Sequence, residues 1–323
     1  MTNTRKPNPN GDRRASDAAP IDPPLSGVGV NGVDRPLLGI ALMITATLIF
    51  SLQDGVSRHL AEQYNVMIVV TIRYWFFVVL VIALGMFKQG GVRRVAKSHY
   101  PVLQVIRGLV LVTEICLAVA AFTEIGLVNF HAIFASYPLV LAALSAPFLG
   151  ERVGWRRWSA ITAGFTGVII ALNPTNMIFG LDILLPIGCA VLFAIYGILT
   201  RLVARHDTPE TSFFWTGITG GIAVTLIAPF FWELPEGGNW LFMALLCLTS
   251  VGGHFMLIKS FAVTEASTVQ PFAYFSIIFA SAVGVLVFGE ILHAHIIIGG
   301  SVIVAAGLFT LQRTKKVNAQ PRI

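Results

Sequence analysis

Ten long, unbroken apolar runs constrain this chain more than any other feature. They fall near 37–57, 66–87, 104–122, 127–148, 155–173, 179–201, 211–231, 239–259, 267–288 and 294–312. Each is roughly 17–23 residues, the length at which a helix crosses the hydrocarbon core of a bilayer. In lipid the backbone must satisfy its own hydrogen bonds, which leaves helices or closed barrels. Barrel strands read as short alternating segments, and these runs are continuous. Charged residues make up only 12% of the chain, and the mean hydropathy is +0.78. A soluble protein carries about 25% charged residues, so lipid must solvate much of this surface. The expected class is an all-α integral membrane protein with ten transmembrane helices.

The net charge is +6, but the basic residues sit between the apolar runs rather than on one face. That is a topology signal and argues against a nucleic-acid partner. With the N-terminus inside, Arg58 is the single outer basic residue among 22 Lys and Arg, and Arg73 and Arg107 fall within spans. The remainder face the cytoplasm, which places both termini inside a cell inner membrane. Residues 1–36, rich in Asn, Asp, Pro, Gly and Arg, read as a disordered cytoplasmic tail, and 313–323 as a cytoplasmic C-terminal tail. The first is too polar for a signal peptide. Its Gly27-Val28-Gly29-Val30-Asn31-Gly32 matches a dinucleotide fingerprint by chance, because no strand precedes it. Cys116, Cys189 and Cys247 are scattered and give no disulfide or metal spacing. His293 and His295 have no third ligand nearby, so neither a metal nor a cofactor is expected.

The chain repeats itself. Phe148-Leu149-Gly150-Glu151 ends the fourth run and Val287-Phe288-Gly289-Glu290 the ninth, 139 residues later. Phe122 and Phe261 share that offset, and Phe50…Val56-Ser57-Arg58 aligns with Phe193…Leu199-Thr200-Arg201 at offset 143. The halves are 37–173 and 179–312, with five spans each. An odd number inverts the second half in the membrane. Loop charge agrees: the first Gly-Glu is followed by Arg152, Arg156 and Arg157, the second by no Lys or Arg before the last span. Inverted repeats around a midplane site are a hallmark of secondary transporters.

These repeated Gly-Glu turns, the five-plus-five layout, and the segment Ala132-Ile133-Phe134-Ala135-Ser136-Tyr137-Pro138 leading to Pro147-Phe148-Leu149-Gly150-Glu151-Arg152 resemble the EamA-type members of the drug/metabolite transporter superfamily. The resemblance covers about 37–312. It implies a basket in which spans 1–4 and 6–9 surround a central cavity while spans 5 and 10 pack outside. It also implies transport of metabolites: export of amino acids, or import of compounds such as riboflavin and S-adenosylmethionine.

Polar groups inside spans are costly, so each is a candidate for function. Asp54 and Arg73 sit at similar depth and are expected to pair, either structurally or as part of a substrate site or gate; Arg73 would equally meet a substrate carboxylate or ring carbonyl. Glu114, in mid-span, is a proton-coupling candidate or a neutral hydrogen-bonding group. Span 4 offers Asn129, His131, Ser136 and Tyr137, and Pro138 should kink it. Span 9 offers Gln270, Tyr274 and Ser276, while Gln53 and Tyr196 align across the repeat. Trp75 and Trp215, with Tyr74, Phe134, Phe272 and Phe275, are candidate flat walls. Aromatic walls with amide donors suit a flat heterocycle or aromatic amino acid.

The expected function is a carrier without ATP hydrolysis, since no Walker loop is present. Its energy would come from a gradient of substrate, exchange partner or proton. Uptake of a flat, vitamin-like compound such as riboflavin is the first choice, with export of amino acids, other metabolites or drugs as the alternative. A membrane enzyme would need a nucleophile, base or metal constellation, and neither H-E-x-x-H nor G-x-S-x-G occurs. Gly217-x-x-x-Gly221 and Ala280-x-x-x-Gly284 mark tight crossings within one chain. The expected partners are a small molecule and the bilayer, with the protein a monomer or a weak homodimer.

Overall fold

A computed structural model describes residues 35–149, 155–172, 181–232, 239–263, 269 and 272–318. The N-terminal tail with its glycine motif, the Gly150-Glu151 turn and Gln270 lie outside the described residues. Every regular element among the described residues is helical. The helices are α1 (Pro36–Ala61), α2 (Val66–Met86), the short α3 (Gly91–Ala96), α4 (Pro101–Phe134), α5 (Tyr137–Leu149) and α6 (Trp155–Leu172). They continue as α7 (Leu181–Val203), α8 (Pro209–Ile227), α9 (Trp240–Val263), α10 (Phe275–Phe288) and α11 (Ala294–Asn318). Six segments are long and apolar enough to cross a membrane: Pro36–Ala61, Val66–Met86, Pro101–Phe134, Leu184–Val203, Pro209–Phe230 and Trp240–Val263.

α4 is two limbs rather than one rod. Gly126 sits at φ 79°, ψ 169°, backbone that glycine adopts without strain. In a continuous helix Phe122 and His131 would stand about 13 Å apart along the axis. Their ring centroids are 6.2 Å apart, so the chain turns back at Gly126. The second limb stops at Phe134, and α5 restarts at Tyr137. Pro138 explains the interruption: it lacks an N–H, its ring crowds the carbonyl four residues back, and it disfavours helical backbone at Tyr137. Leu139 N and Val140 N both bond the Ser136 carbonyl, at 2.9 and 3.1 Å, which starts the new helix. A corresponding interruption lies at Tyr274, just before α10.

The helices pack in matching sets. α1 lies along α9 as α4 lies along α7; α1 meets α10 as α7 meets α5; α2 pairs with α8 and α6 with α11. Small residues let these pairs close. A Cβ added at Gly220 would come within 2.1 Å of Tyr74, and one at Gly221 within 2.3 Å of Val78, so the glycine face of α8 is filled by α2 of the same chain. Gly299 and Gly167 bring α11 and α6 into backbone contact.

The loops sort to two ends. At one end Asn239 bonds Gln63 and the Tyr64 hydroxyl, each at 2.8 Å, and Arg58 meets Glu290. At the other, Arg35 N bonds the Val263 carbonyl and Asp207 holds the backbone of His99. Lys88, Arg93, Arg94, Lys97 and Arg205 belong to this second end.

Candidate substrate site

Between the ends lies a cavity of about 740 Å³, a volume that includes the solvent space at its open mouth. One face of α1 supplies Thr47, Phe50, Gln53 and Asp54, and α2 supplies Arg73. The limbs of α4 supply Glu114, Phe122, Phe130, His131 and Phe134. The interrupted helix presents Tyr137, and Phe193 and His254 come from α7 and α9. The walls are largely apolar, with Phe50, Phe122, Phe130, Phe134, Phe193 and Tyr137 set among aliphatic side chains such as Met43, Ile115 and Leu257. Phe134 stands 5.2 Å from Tyr137 and 5.4 Å from Phe193, centroid to centroid.

The polar groups fall into two kinds. His131 Nε2 is 3.1 Å from Asp54 Oδ2. An ionised carboxylate only accepts, so Nε2 carries the proton. Arg73 and Glu114 are instead unpartnered. Each is buried, at 2% and 5% exposure, and among the described residues neither side chain makes a hydrogen bond or an ion pair. Arg73 has only the Tyr74 ring, 6.0 Å from its guanidinium carbon. A buried cation without an acceptor is destabilising. Its place at a cavity wall makes it a candidate to meet a ligand's acceptor.

The expected Asp54–Arg73 pair does not form. Similar depth brought the two residues level, but Asp54 points across to the second limb of α4 and engages His131. Eight of the expected residues share the cavity: Gln53, Asp54, Arg73, Glu114, His131, Phe134, Tyr137 and Ser276. Among the described residues, Trp75, Trp215, Asn129, Tyr196 and Tyr274 do not line it. Trp75 is 40% exposed beside Trp232 and donates to Thr225 Oγ1 at 2.8 Å. Trp215 donates to the Ala96 carbonyl at 3.1 Å. Asn129 bonds the Ile125 carbonyl at 2.8 Å. Tyr196 meets Arg107, and Tyr274 is buried with an unpartnered hydroxyl. His254, Phe50, Phe122, Phe130 and Phe193 were not anticipated. His254 carried a readable signal, an ionisable ring inside an apolar run.

Two polar clasps lie outside the cavity lining, one toward each end of the molecule. At one, Glu290 accepts from Leu127 N at 2.8 Å and Val128 N at 2.7 Å, the first amides after the Gly126 turn, and from Arg58. The Arg58 guanidinium also lies 4.2 Å over the Phe288 ring. A Cβ at Gly126 would stand 2.9 Å from this carboxylate and one at Gly284 3.0 Å away, so two glycines make its seat. At the other end Arg107, fully buried, donates to Gln104 Oε1 at 3.0 Å, Thr216 Oγ1 at 2.7 Å and the Ser212 carbonyl. Gln104 passes its amide N–H to Asp207 at 2.8 Å, and Asp207 also takes the Ser98 hydroxyl and the His99 amide. Among the described residues no group of three His, Cys, Asp or Glu side chains is placed to hold a metal.

The chain matches the EamA-like transporter family over residues 37–173 and again over 181–312. It belongs to that family. The transporter is 28% identical to a riboflavin transporter of Vibrio cholerae over 299 residues, 90% of this chain and 98% of the relative. It is 25% identical to an S-adenosylmethionine uptake transporter of Rickettsia felis over 288 residues, 87% of this chain and 94% of the relative. A crystal structure of 16% identity superposes with a TM-score of 0.61, covering 87% of this chain and 97% of that one, and shares its fold. The transporter is a multi-pass membrane protein that moves a small metabolite.

Proposed function

We propose that the transporter takes up riboflavin, or a compound with the same flat ring, across a bacterial inner membrane by alternating access. The apolar cavity with its aromatic rings, holding an unpartnered Arg73, carries this reading. Phe50, Phe122, Phe130, Phe134 and Phe193 suit a planar ring, and Arg73 suits a ring carbonyl. The riboflavin transporters among its relatives support the same choice. Ten spans in two inverted halves, with both termini cytoplasmic, fit the exchanging helix pairs and the gathering of Lys and Arg at one end. The Glu290 clasp is then outer and the Asp207 clasp inner, and rocking opens one while the other stays closed. Proteoliposomes loaded with buffer are expected to accumulate riboflavin, with unlabelled riboflavin competing. No accumulation, or competition by aromatic amino acids alone, overturns the reading.

A second reading comes from the two carboxyl groups at the cavity, Asp54 and Glu114. They suit a cation such as the sulfonium of S-adenosylmethionine, the substrate named for another relative. Competition by S-adenosylmethionine, with none by riboflavin, would favour it.

Glu114 is the proposed proton-coupling group. It faces the cavity without a partner, and Asp54, Arg73, His131 and His254 are the ionisable groups around it. An inward proton gradient should raise uptake several-fold in the native protein. Glu114→Gln should lose that stimulation and keep substrate–substrate exchange. Native uptake insensitive to the gradient removes the role and leaves an exchange partner or the substrate gradient as the driving force.

A further inference from the structure

We propose that His254 is a specificity-determining residue, whose Nε2 accepts a hydrogen bond from a ring N–H of the substrate. The inference rests on the riboflavin reading and concerns which edge of the ring is recognised. His254 is 4% exposed, lines the cavity from α9, and packs edge-on to Phe50 with centroids 4.9 Å apart. Gly253 makes room for this contact, since a Cβ there would stand 2.6 Å from the Phe50 ring. The ring orientation is therefore set by packing.

The tautomer is set by hydrogen bonding. His254 Nδ1 lies 2.9 Å from the Ser250 carbonyl oxygen. A carbonyl cannot donate, so Nδ1 carries the hydrogen, and in the neutral ring Nε2 holds a lone pair. Among the described residues no donor meets Nε2. The same cavity holds the guanidinium of Arg73, a donor without an acceptor. His131 Nε2 is committed to Asp54, while Gln53 Oε1, His131 Nδ1 and the Glu114 carboxyl have no hydrogen-bond partner among the described residues. The site thus presents Arg73 as a free donor and, in His254 Nε2, an acceptor whose ring is fixed by packing and whose tautomer is fixed by the Ser250 carbonyl.

A ring edge that alternates carbonyl and N–H complements this pair. The pyrimidine ring of riboflavin carries such an edge, an imide N–H flanked by two carbonyls. Arg73 would donate to a carbonyl while His254 takes the imide hydrogen. A site built to hydrogen-bond a substrate N–H rejects an analogue that lacks it, because the acceptor is then buried unpaired.

Riboflavin methylated at the imide nitrogen is the probe. Proteoliposomes of the native protein should take up riboflavin at least about tenfold faster than the methylated compound. His254→Phe keeps the ring contact and removes the acceptor, so its preference should fall to about one. His254→Gln restores an acceptor oxygen and should recover part of the preference; it also serves if the Phe variant does not fold. A merely structural role would slow both compounds equally and leave their ratio unchanged. Equal uptake of the two by the native protein, or a ratio unaltered in both variants, overturns the assignment. Absence of riboflavin uptake by the native protein instead overturns the riboflavin reading on which it stands.

Discussion

Glu290→Gln is expected to leave the outer end of the cavity open and to cut riboflavin uptake at least tenfold. The native carboxylate gathers three donors from the first half of the chain: Leu127 N, Val128 N and the Arg58 guanidinium. Two are the leading amides of a helix limb, where the backbone dipole adds to the attraction for negative charge. Glutamine offers one accepting oxygen and turns an NH2 group toward the remaining donors. With hydrogen bonds to a charged group worth about 1.5–3 kcal/mol each, the clasp should weaken by roughly 3 kcal/mol. That shifts an open–closed equilibrium on the order of a hundredfold, because each 1.4 kcal/mol is a factor of ten. A cysteine placed at Thr47, on the cavity wall, should then react faster with an impermeant thiol reagent from outside. Gly126→Val should act in the same direction, since its Cβ enters the seat of the carboxylate and its φ of 79° is strained for valine. Native labelling and native uptake in both variants would show that the clasp does not gate the cavity.

The apolar runs were legible because bilayer thickness fixes length and composition together, and the helices observed largely overlie them. What hydropathy hides is direction. Gly126 reverses the chain within a helical stretch from Pro101 to Phe134, and only its left-handed backbone and the closeness of Phe122 to His131 reveal the turn. The same blindness explains the mistaken Asp54–Arg73 pair. Sequence position sets depth along a helix, but the rotation that turns Asp54 toward His131 is set by helix packing, which hydropathy does not carry. Ionisable residues were good guides to the cavity because an unpaired charge is tolerated there only for use. Trp75, Trp215, Tyr196 and Asn129 were poor guides for a common reason. Each spends its polar atom on a neighbour, and a satisfied group has little to offer a substrate. Repeat symmetry also misled at Tyr196: its partner Gln53 lines the cavity, while Tyr196 turns to Arg107.

The two buried arginines should give opposite results on replacement by methionine. Arg107 is fully buried and meets Gln104, Tyr196, Thr200, Thr216 and the Ser212 carbonyl, which ties α4 to α7 and α8. Gln104 sets its carbonyl toward this cation and its amide hydrogens toward Asp207, so one side chain bridges opposite charges. Arg107→Met leaves several acceptors buried without a donor. The expected cost is about 3–5 kcal/mol, a fall of roughly 5–15 °C in the melting temperature of the detergent-purified protein. Arg107→Lys should recover little, because an ammonium cannot reproduce the guanidinium fork. Arg73, by contrast, holds nothing together: among the described residues it has no hydrogen bond, and its 2% exposure falls at the cavity. Arg73→Met removes a buried charge that no hydrogen bond or ion pair holds among the described residues, so the melting temperature should hold or rise while riboflavin uptake is lost. Stability surrendered at a site for the sake of binding is regained when that site is emptied of its charge. If Arg73→Met melts as early as Arg107→Met, Arg73 is a structural residue after all and the substrate carbonyl must find its donor elsewhere.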